Sequence, residues 1–208
     1  MTQHPDSVDE DLSGEDPASD VADWMPGGQD MVQREALLDL ALSRRELVGL
    51  VLEFGVHKGT TLERIAARVN GEVHGFDSFE GLPEDWTGER KKGYFSLEGV
   101  PPRLAAANVV LHKGLFSETL PPFLASHPGV VELAHIDCDL YSSTETVLNC
   151  LQPRLTAGSI IVFDEYFGYD GFELHEYRAF HEMAERCGLH YEYIGYTSEW
   201  GSAAVRIC

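Results

Sequence analysis

Gly49–Leu50–Val51–Leu52–Glu53–Phe54–Gly55–Val56–His57–Lys58–Gly59–Thr60–Thr61 is the stretch that decides the fold. The Leu/Val density of residues 50–54 and the glycine behind them read as a short buried strand, not as a helix continuing from upstream. Two glycines then let the backbone turn tightly and approach a ligand. Thr60 or Thr61 can cap a helix running to about Val69, which Asn70–Gly71 ends. The helix N-terminus offers free N–H groups. The spacing is not G-x-G-x-x-G, and Lys58 precedes the second glycine, so neither a dinucleotide fingerprint nor a P-loop is present.

Upstream, Met31, Ala36, Leu37, Leu40, Ala41 and Leu47 recur at helix spacing, mixed with Arg34, Arg44 and Arg45. Downstream, strands are expected at 72–76, 109–111, 130–136 and 159–163, with helices at 117–126, opened by a Ser117 cap, and 143–151. An amphipathic helix over 172–187 ends at Gly188, and strands at 191–194 and 203–207 close the chain. Strands alternating with helices predict an α/β, doubly wound (Rossmann-like) fold with helices on both faces. The sheet is mostly parallel and seven-stranded, and the last two strands, with no helix between them, form an antiparallel hairpin at one edge.

Fifteen Lys+Arg stand against 35 Asp+Glu in 208 residues, a net charge of −20, with 43% apolar residues. A sizeable core is available, and nucleic acid or an anionic membrane is a poor partner for such acidity. Residues 1–30 hold nine acids (Asp6, Asp9, Glu10, Asp11, Glu15, Asp16, Asp20, Asp23, Asp30) and no Lys or Arg. They read as a disordered acidic tail ahead of a single domain over 31–208. The sharper alternative is a segment that orders over a ligand, anchored by Trp24 and Met25. No apolar run is long enough for a membrane helix, and the start lacks the pattern of a secretion signal. Four scattered cysteines without C-x-x-C spacing point to a reduced, cytoplasmic setting.

Ligands of doubly wound sheets sit at the carboxyl ends of the strands, and acids stand there repeatedly. Asp77 follows the second strand, 24 residues after Glu53, placed either to accept ribose hydroxyls or to cap a turn. His135–Ile136–Asp137–Cys138–Asp139 ends the fourth strand and Phe163–Asp164–Glu165 the fifth. These strands should be neighbours, bringing up to four carboxylates to one mouth. Such acids cannot both be buried without a cation or a proton. Hard oxygen ligands in that number suit Mg²⁺, Mn²⁺ or Ca²⁺. The competing reading is a set of solvated acidic loops.

Five ordered blocks carry a family resemblance: Glu53-x-Gly-x-x-x-Gly, Phe76–Asp77–Ser78–Phe79–Glu80–Gly81–Leu82–Pro83, Lys113–Gly114–Leu115–Phe116, Ile136–Asp137–Cys138–Asp139–Leu140–Tyr141, and Phe163–Asp164–Glu165–Tyr166. Over residues 49–207 the chain resembles the macrocin O-methyltransferase family, Mg²⁺-dependent class I S-adenosylmethionine methyltransferases that act on sugar hydroxyls of glycosylated natural products. The resemblance implies that Glu53, Gly55, Gly59, Thr60 and Thr61 hold the methionine end of the cofactor. It implies that Asp77, Ser78 and Phe79 bind the adenosine side, that Gly114 and Phe116 line the adenine pocket, and that Asp137 also borders the cofactor. Asp137, Asp164 and Glu165 become the metal ligands and Asp139 the general base, acting on a small-molecule hydroxyl acceptor. Glu165 departs from the usual Asp–Asp pair, and fewer residues than usual precede the glycine motif. Related enzymes often form dimers, so a homodimer is an expectation. A hydroxylase-type enzyme and a non-catalytic cofactor-binding protein on the same fold are the competing classes.

Overall fold

The computed structural model describes residues 24–208. Its element order is β1 (Gln29–Asp30), α1 (Arg34–Ser43), β2 (Leu50–Phe54), α2 (Thr60–Ala66), β3 (Val73–Asp77), β4 (Val109–Lys113), α3 (Phe116–Ser126), β5 (Val131–Ile136), α4 (Tyr141–Leu151), β6 (Ile160–Phe163), α5 (Glu176–Cys187), β7 (Tyr191–Tyr196) and β8 (Ala203–Ile207). The strands form one sheet in the order β1-β7-β8-β6-β5-β2-β3-β4. β8 runs antiparallel to both β6 and β7, and the other pairs are parallel.

The sheet therefore has eight strands, not seven. The extra one is Gln29–Asp30, which pairs with Gly195–Tyr196. Met25 just before it is 1% exposed in the core, while Trp24 stays half exposed against Phe172. Residues 24–30 thus belong to the folded body, and the remainder of the expected tail lies outside the described residues.

Period-2 alternation along the strands separates two cores. Leu52, Phe54, Ala134, Ile136, Ile161 and Phe163 face α3, α4 and α5. Val51, Leu133, Ile160 and Val162 face α1 and α2. Each helix buries one apolar stripe, as with Ala179, Phe180 and Met183 of α5. No helix among the described residues is long and apolar enough to cross a membrane.

Two expected caps differ. α2 begins after Gly59, whose left-handed backbone (φ 81°) makes the entry without any side-chain cap. α3 begins at Phe116 behind Leu115, and Ser117 lies within its first turn. From β2 the chain steps outward to β3 and β4, then crosses back to place β5 on the other side of β2. The crevice at the carboxyl ends of β2 and β5 is the topological switch point, the expected ligand position in such sheets.

Candidate active site

A cavity of about 300 Å³ opens at that switch point. Its lining includes Gly55, His57, Asp77, Ser78, Gly114, Phe116, Asp137, Cys138 and Asp139. Loop residues Leu82, Pro83 and Phe95 and the α4 residues Ser142, Ser143 and Thr146 complete its wall.

Gly55 has φ 90°, and a Cβ there would lie 1.7 Å from the Asp137 carbonyl oxygen. The position demands glycine because two parallel strands converge on it: Asp137 N–H donates to Phe54 O, and Gly55 N–H to Phe76 O. His57 (φ 46°), Phe79 (φ 60°), Phe95 (φ 67°) and Asp139 (φ 63°) also hold left-handed backbone. His57, Phe95 and Asp139 all line the cavity, so its turns carry unfavourable conformations that surrounding bonds must maintain.

Asp77 supplies such bonds. Its Oδ2 accepts from the N–H groups of Val56 and His57 at 2.9 and 2.8 Å. Its Oδ1 accepts from Phe79 N–H at 2.7 Å. The carboxylate clamps the glycine turn to the end of β3 while still bordering the cavity, so the turn-cap and ligand readings meet in one side chain.

Glu53 sits within the sheet. Its register partner in the sheet is His135, so both point to the α1/α2 face. Glu53 is fully buried, with His135 Nδ1 at 3.1 Å from its Oε1. The contact is an ion pair when His135 is protonated, and neither Glu53 oxygen has a hydrogen-bond partner among the described residues. Burial raises the Glu53 pKa, with His135 opposing. Glu53, Gly59, Thr60, Thr61 and Phe79 do not line the cavity. Gly59 and Phe79 shape the turns around it through left-handed backbone.

Asp137, Asp164 and Glu165 each offer an oxygen within 4.8 Å of the others'. β5 and β6 are indeed neighbours, pairing Ile136 with Phe163, so the acids after them converge. Burial, then the charges of Asp164 and Glu165, push the Asp137 pKa well up. Burial and Asp164 likewise raise Glu165. Asp139 stands apart from the triad, pushed up to about 7 by burial and then by Asp164, with Arg90 opposing. A carboxylate titrating there is suited to exchange a proton near neutrality.

Two site residues escaped the sequence reading. Arg34, the first residue of α1, bonds Asp164 through Nη1 and lies 3.9 Å from Glu165. Glu176, the first residue of α5, is fully buried and accepts from the N–H groups of Cys138 and Asp139 at 3.3 and 3.2 Å. It also accepts from Glu165 N–H at 3.4 Å. Glu176 thus ties together the two acidic turns. Of the aromatic residues near the acids, Tyr166 is core, while Tyr169 packs on Trp86.

A family model described as a methyltransferase domain matches residues 52–166. The chain belongs to this methyltransferase-domain family. The matched span starts inside β2 and ends just past the acids of β6, so it contains both halves of the site. A curated relative, the 8-demethyl-8-(2,3-dimethoxy-alpha-L-rhamnosyl)-tetracenomycin-C 4'-O-methyltransferase of Streptomyces olivaceus, is 30% identical over 141 residues, 57% of this chain and 53% of that protein. The chain thus spans about half the length of the curated relative it matches. Among solved structures, the calicheamicin methyltransferase CalS11 superposes with TM-score 0.64 at 26% identity, covering 93% of this chain and 87% of that one. Its apo structure is described as a TDP-rhamnose 3'-O-methyltransferase and aligns with TM-score 0.58 at 25% identity over 93% of this chain and 88% of that one. The O-methyltransferase NovP, at 21% identity and TM-score 0.60 over 83% of this chain and 79% of that one, shares the fold. The fold is that of a class I S-adenosylmethionine methyltransferase.

Proposed function

We propose that this methyltransferase moves a methyl group from S-adenosylmethionine to a sugar hydroxyl of a glycosylated natural product, with Mg²⁺ or Mn²⁺ at Asp137, Asp164 and Glu165. The observation that carries the reading is one cavity bordered by Asp77 and the Gly55 turn on one side and by Asp137 and Asp139 on the other. The donor set fits a divalent ion: three carboxylates converge, and Glu165 Oε2 is buried without a hydrogen-bond partner. The relatives' printed activities on rhamnosyl groups support the sugar acceptor.

When bound, the sulfonium cofactor supplies an electrophilic methyl and the divalent ion a Lewis acid that acidifies a hydroxyl. The chain's own residues do the rest. Asp77, Ser78 and the Gly114–Phe116 turn line the cavity and would hold the cofactor's adenosine side, and Gly55 would let the backbone approach its methionine end. Asp139, at the cavity wall, would be the group that accepts the acceptor hydroxyl's proton as the methyl leaves sulfur for that oxygen. Leu82, Pro83 and Phe95 give the cavity an apolar wall, and positioning of the two reactants there would supply much of the rate.

The test is labelled S-adenosylmethionine with a panel of rhamnosides, other glycosides and catechols, with and without EDTA. Transfer to a glycoside that stops with EDTA and returns with Mg²⁺ is expected. Turnover indifferent to EDTA removes the metal, and label on catechols alone removes the sugar acceptor. Asp139→Asn should bind cofactor and lose turnover, and full activity in that variant removes Asp139 as the base.

A further inference from the structure

The acidic triad already has a cation of its own. Arg34 Nη1 bonds Asp164 Oδ2, and the same nitrogen lies 3.9 Å from Glu165 Oε1. The guanidinium carbon is 4.9 Å from the Trp200 ring centroid, a cation–π distance. Asp164 is almost wholly enclosed, with its side chain 7% exposed, whereas the Arg34 side chain is 39% exposed. The arginine therefore reaches in from solvent, along the face of an exposed tryptophan, to a buried acid.

We infer that Arg34 is a displaceable placeholder for the divalent ion, holding the triad together until the metal evicts it. The inference rests on the metal reading given above. Without any cation the three carboxylates would repel one another across a few ångströms of poorly hydrated space. A divalent ion that takes Asp164 and Glu165 as ligands competes for the same carboxylate that Arg34 holds. It would also stand beside a positive guanidinium, so both occupying the site at once is strongly disfavoured. Arg34 has an exit, because its exposed stem lets the head swing into water. α1 packs on β6, β7 and β8, and it need not move for that swing. The displaced guanidinium leaves the Trp200 face, which makes that indole a built-in reporter.

The experiment uses the full chain, stripped of metal and held at about 0.3 M NaCl so that long-range charge effects are screened. Mn²⁺ binding is followed by electron paramagnetic resonance, and Trp200 emission is followed during a separate Mg²⁺ titration. Arg34→Gln is expected to bind Mn²⁺ about tenfold more tightly than the native chain, within the range of ordinary site–site coupling. Arg34→Lys, which keeps the charge without the planar fork, should fall between them. Mg²⁺ should change the native emission, and the change should vanish in Arg34→Gln and in Trp200→Phe. Equal Mn²⁺ affinity in the native chain and Arg34→Gln overturns the inference and leaves the metal reading standing. Saturable Mn²⁺ binding without any Trp200 response to Mg²⁺ also overturns it, and needs no variant to fold. Absence of Mn²⁺ binding in every form overturns the metal reading and the inference with it.

Discussion

Acidification should weaken this protein through a histidine cluster at the far edge of the sheet. His74 on β3 is 4% exposed, with Nδ1 3.2 Å from His112 Nε2 on β4. Phe123 and His127 close the other side, with ring centroids 4.7 and 5.2 Å from His74. Burial first, then the charges of His112 and His127, lower its pKa from 6.5 to about 4. Between those values the unfolded chain binds the proton and the folded one does not, so stability falls as pH falls. Linkage over that shift gives a loss of at most about 2 kcal/mol on going from about pH 7 to about pH 5. The raised carboxyls of Asp137, Glu165 and Glu176 work with the opposite sign, since the folded state binds their protons more readily. Total stability is therefore the wrong readout. The difference between the native chain and His74→Phe isolates the histidine, because the lost nitrogen contact costs about 1 kcal/mol at both pH values and cancels. Urea midpoints at the two pH values are the assay. With a slope of about 2 kcal/mol per molar, the native midpoint should fall by about 1 M more than that of the variant. An equal fall in both proteins refutes the reasoning.

The glycine turn, the Asp77 clamp and the Glu176 tie each make a sharper test. Gly55→Ala drives a Cβ against the Asp137 carbonyl. It should cost more than about 4 kcal/mol or abolish soluble expression, and a thermal midpoint within a few degrees of native contradicts the close approach. Asp77→Asn faces three N–H donors with one carbonyl oxygen. It should weaken S-adenosylmethionine binding by at least about tenfold in calorimetry, with about 2 kcal/mol of stability lost. Unchanged affinity assigns Asp77 to the turn alone. Glu176→Ala strands the N–H groups of Cys138 and Asp139, and about 2–3 kcal/mol should be lost in urea unfolding, with Glu176→Gln recovering most of it. Equal loss in both variants shows that the charge of Glu176, not its accepting oxygens, matters.

The parts of this protein that local sequence announces are those built from neighbours in the chain. Leu50–Phe54, Val131–Ile136 and Ile160–Phe163 are short apolar runs closed by Gly or Asp, and each is a strand. The convergence of Asp137, Asp164 and Glu165 followed from strand adjacency, which the βα alternation implies. What stayed hidden depends on distant partners. Arg34 lies 130 residues from Asp164, and a lone arginine at the start of an amphipathic helix reads as solvated surface. Glu176 looks like any acid in a first turn, and nothing nearby marks it as an acceptor for a loop 38 residues earlier. β1 has two residues, too few for any period, and it exists because β7 offers it an edge. The expected Thr60 or Thr61 cap gave way for a related reason: Gly59 supplies the entry geometry, and the Asp77 carboxylate braces the turn before it from another strand.

The separate commitments of the acids say which of them a ligand can use. A buried carboxylate is tolerable when donors or a cation engage it. Asp77 has three N–H groups, Asp164 has Arg34, and Glu176 has the N–H groups of Cys138 and Asp139, whereas Glu53 has only the contact with His135 at 3.1 Å and no hydrogen bond. Asp137 and Asp139 have no side-chain hydrogen bond or ion pair among the described residues, and both border the cavity. Glu165 is intermediate, with Arg34 at 3.9 Å and one oxygen buried without a partner. Asp77 and Glu176 hold turns through donated N–H groups, while Asp137 and Asp139 at the cavity wall stay open. A substitution at Glu53 or Glu176 should therefore act through folding, and one at Asp137 or Asp139 through what the cavity binds and turns over. That division follows from hydrogen bonds and ion pairs alone, and it leaves Asp137 and Asp139 as the acids at the cavity wall with capacity for a ligand.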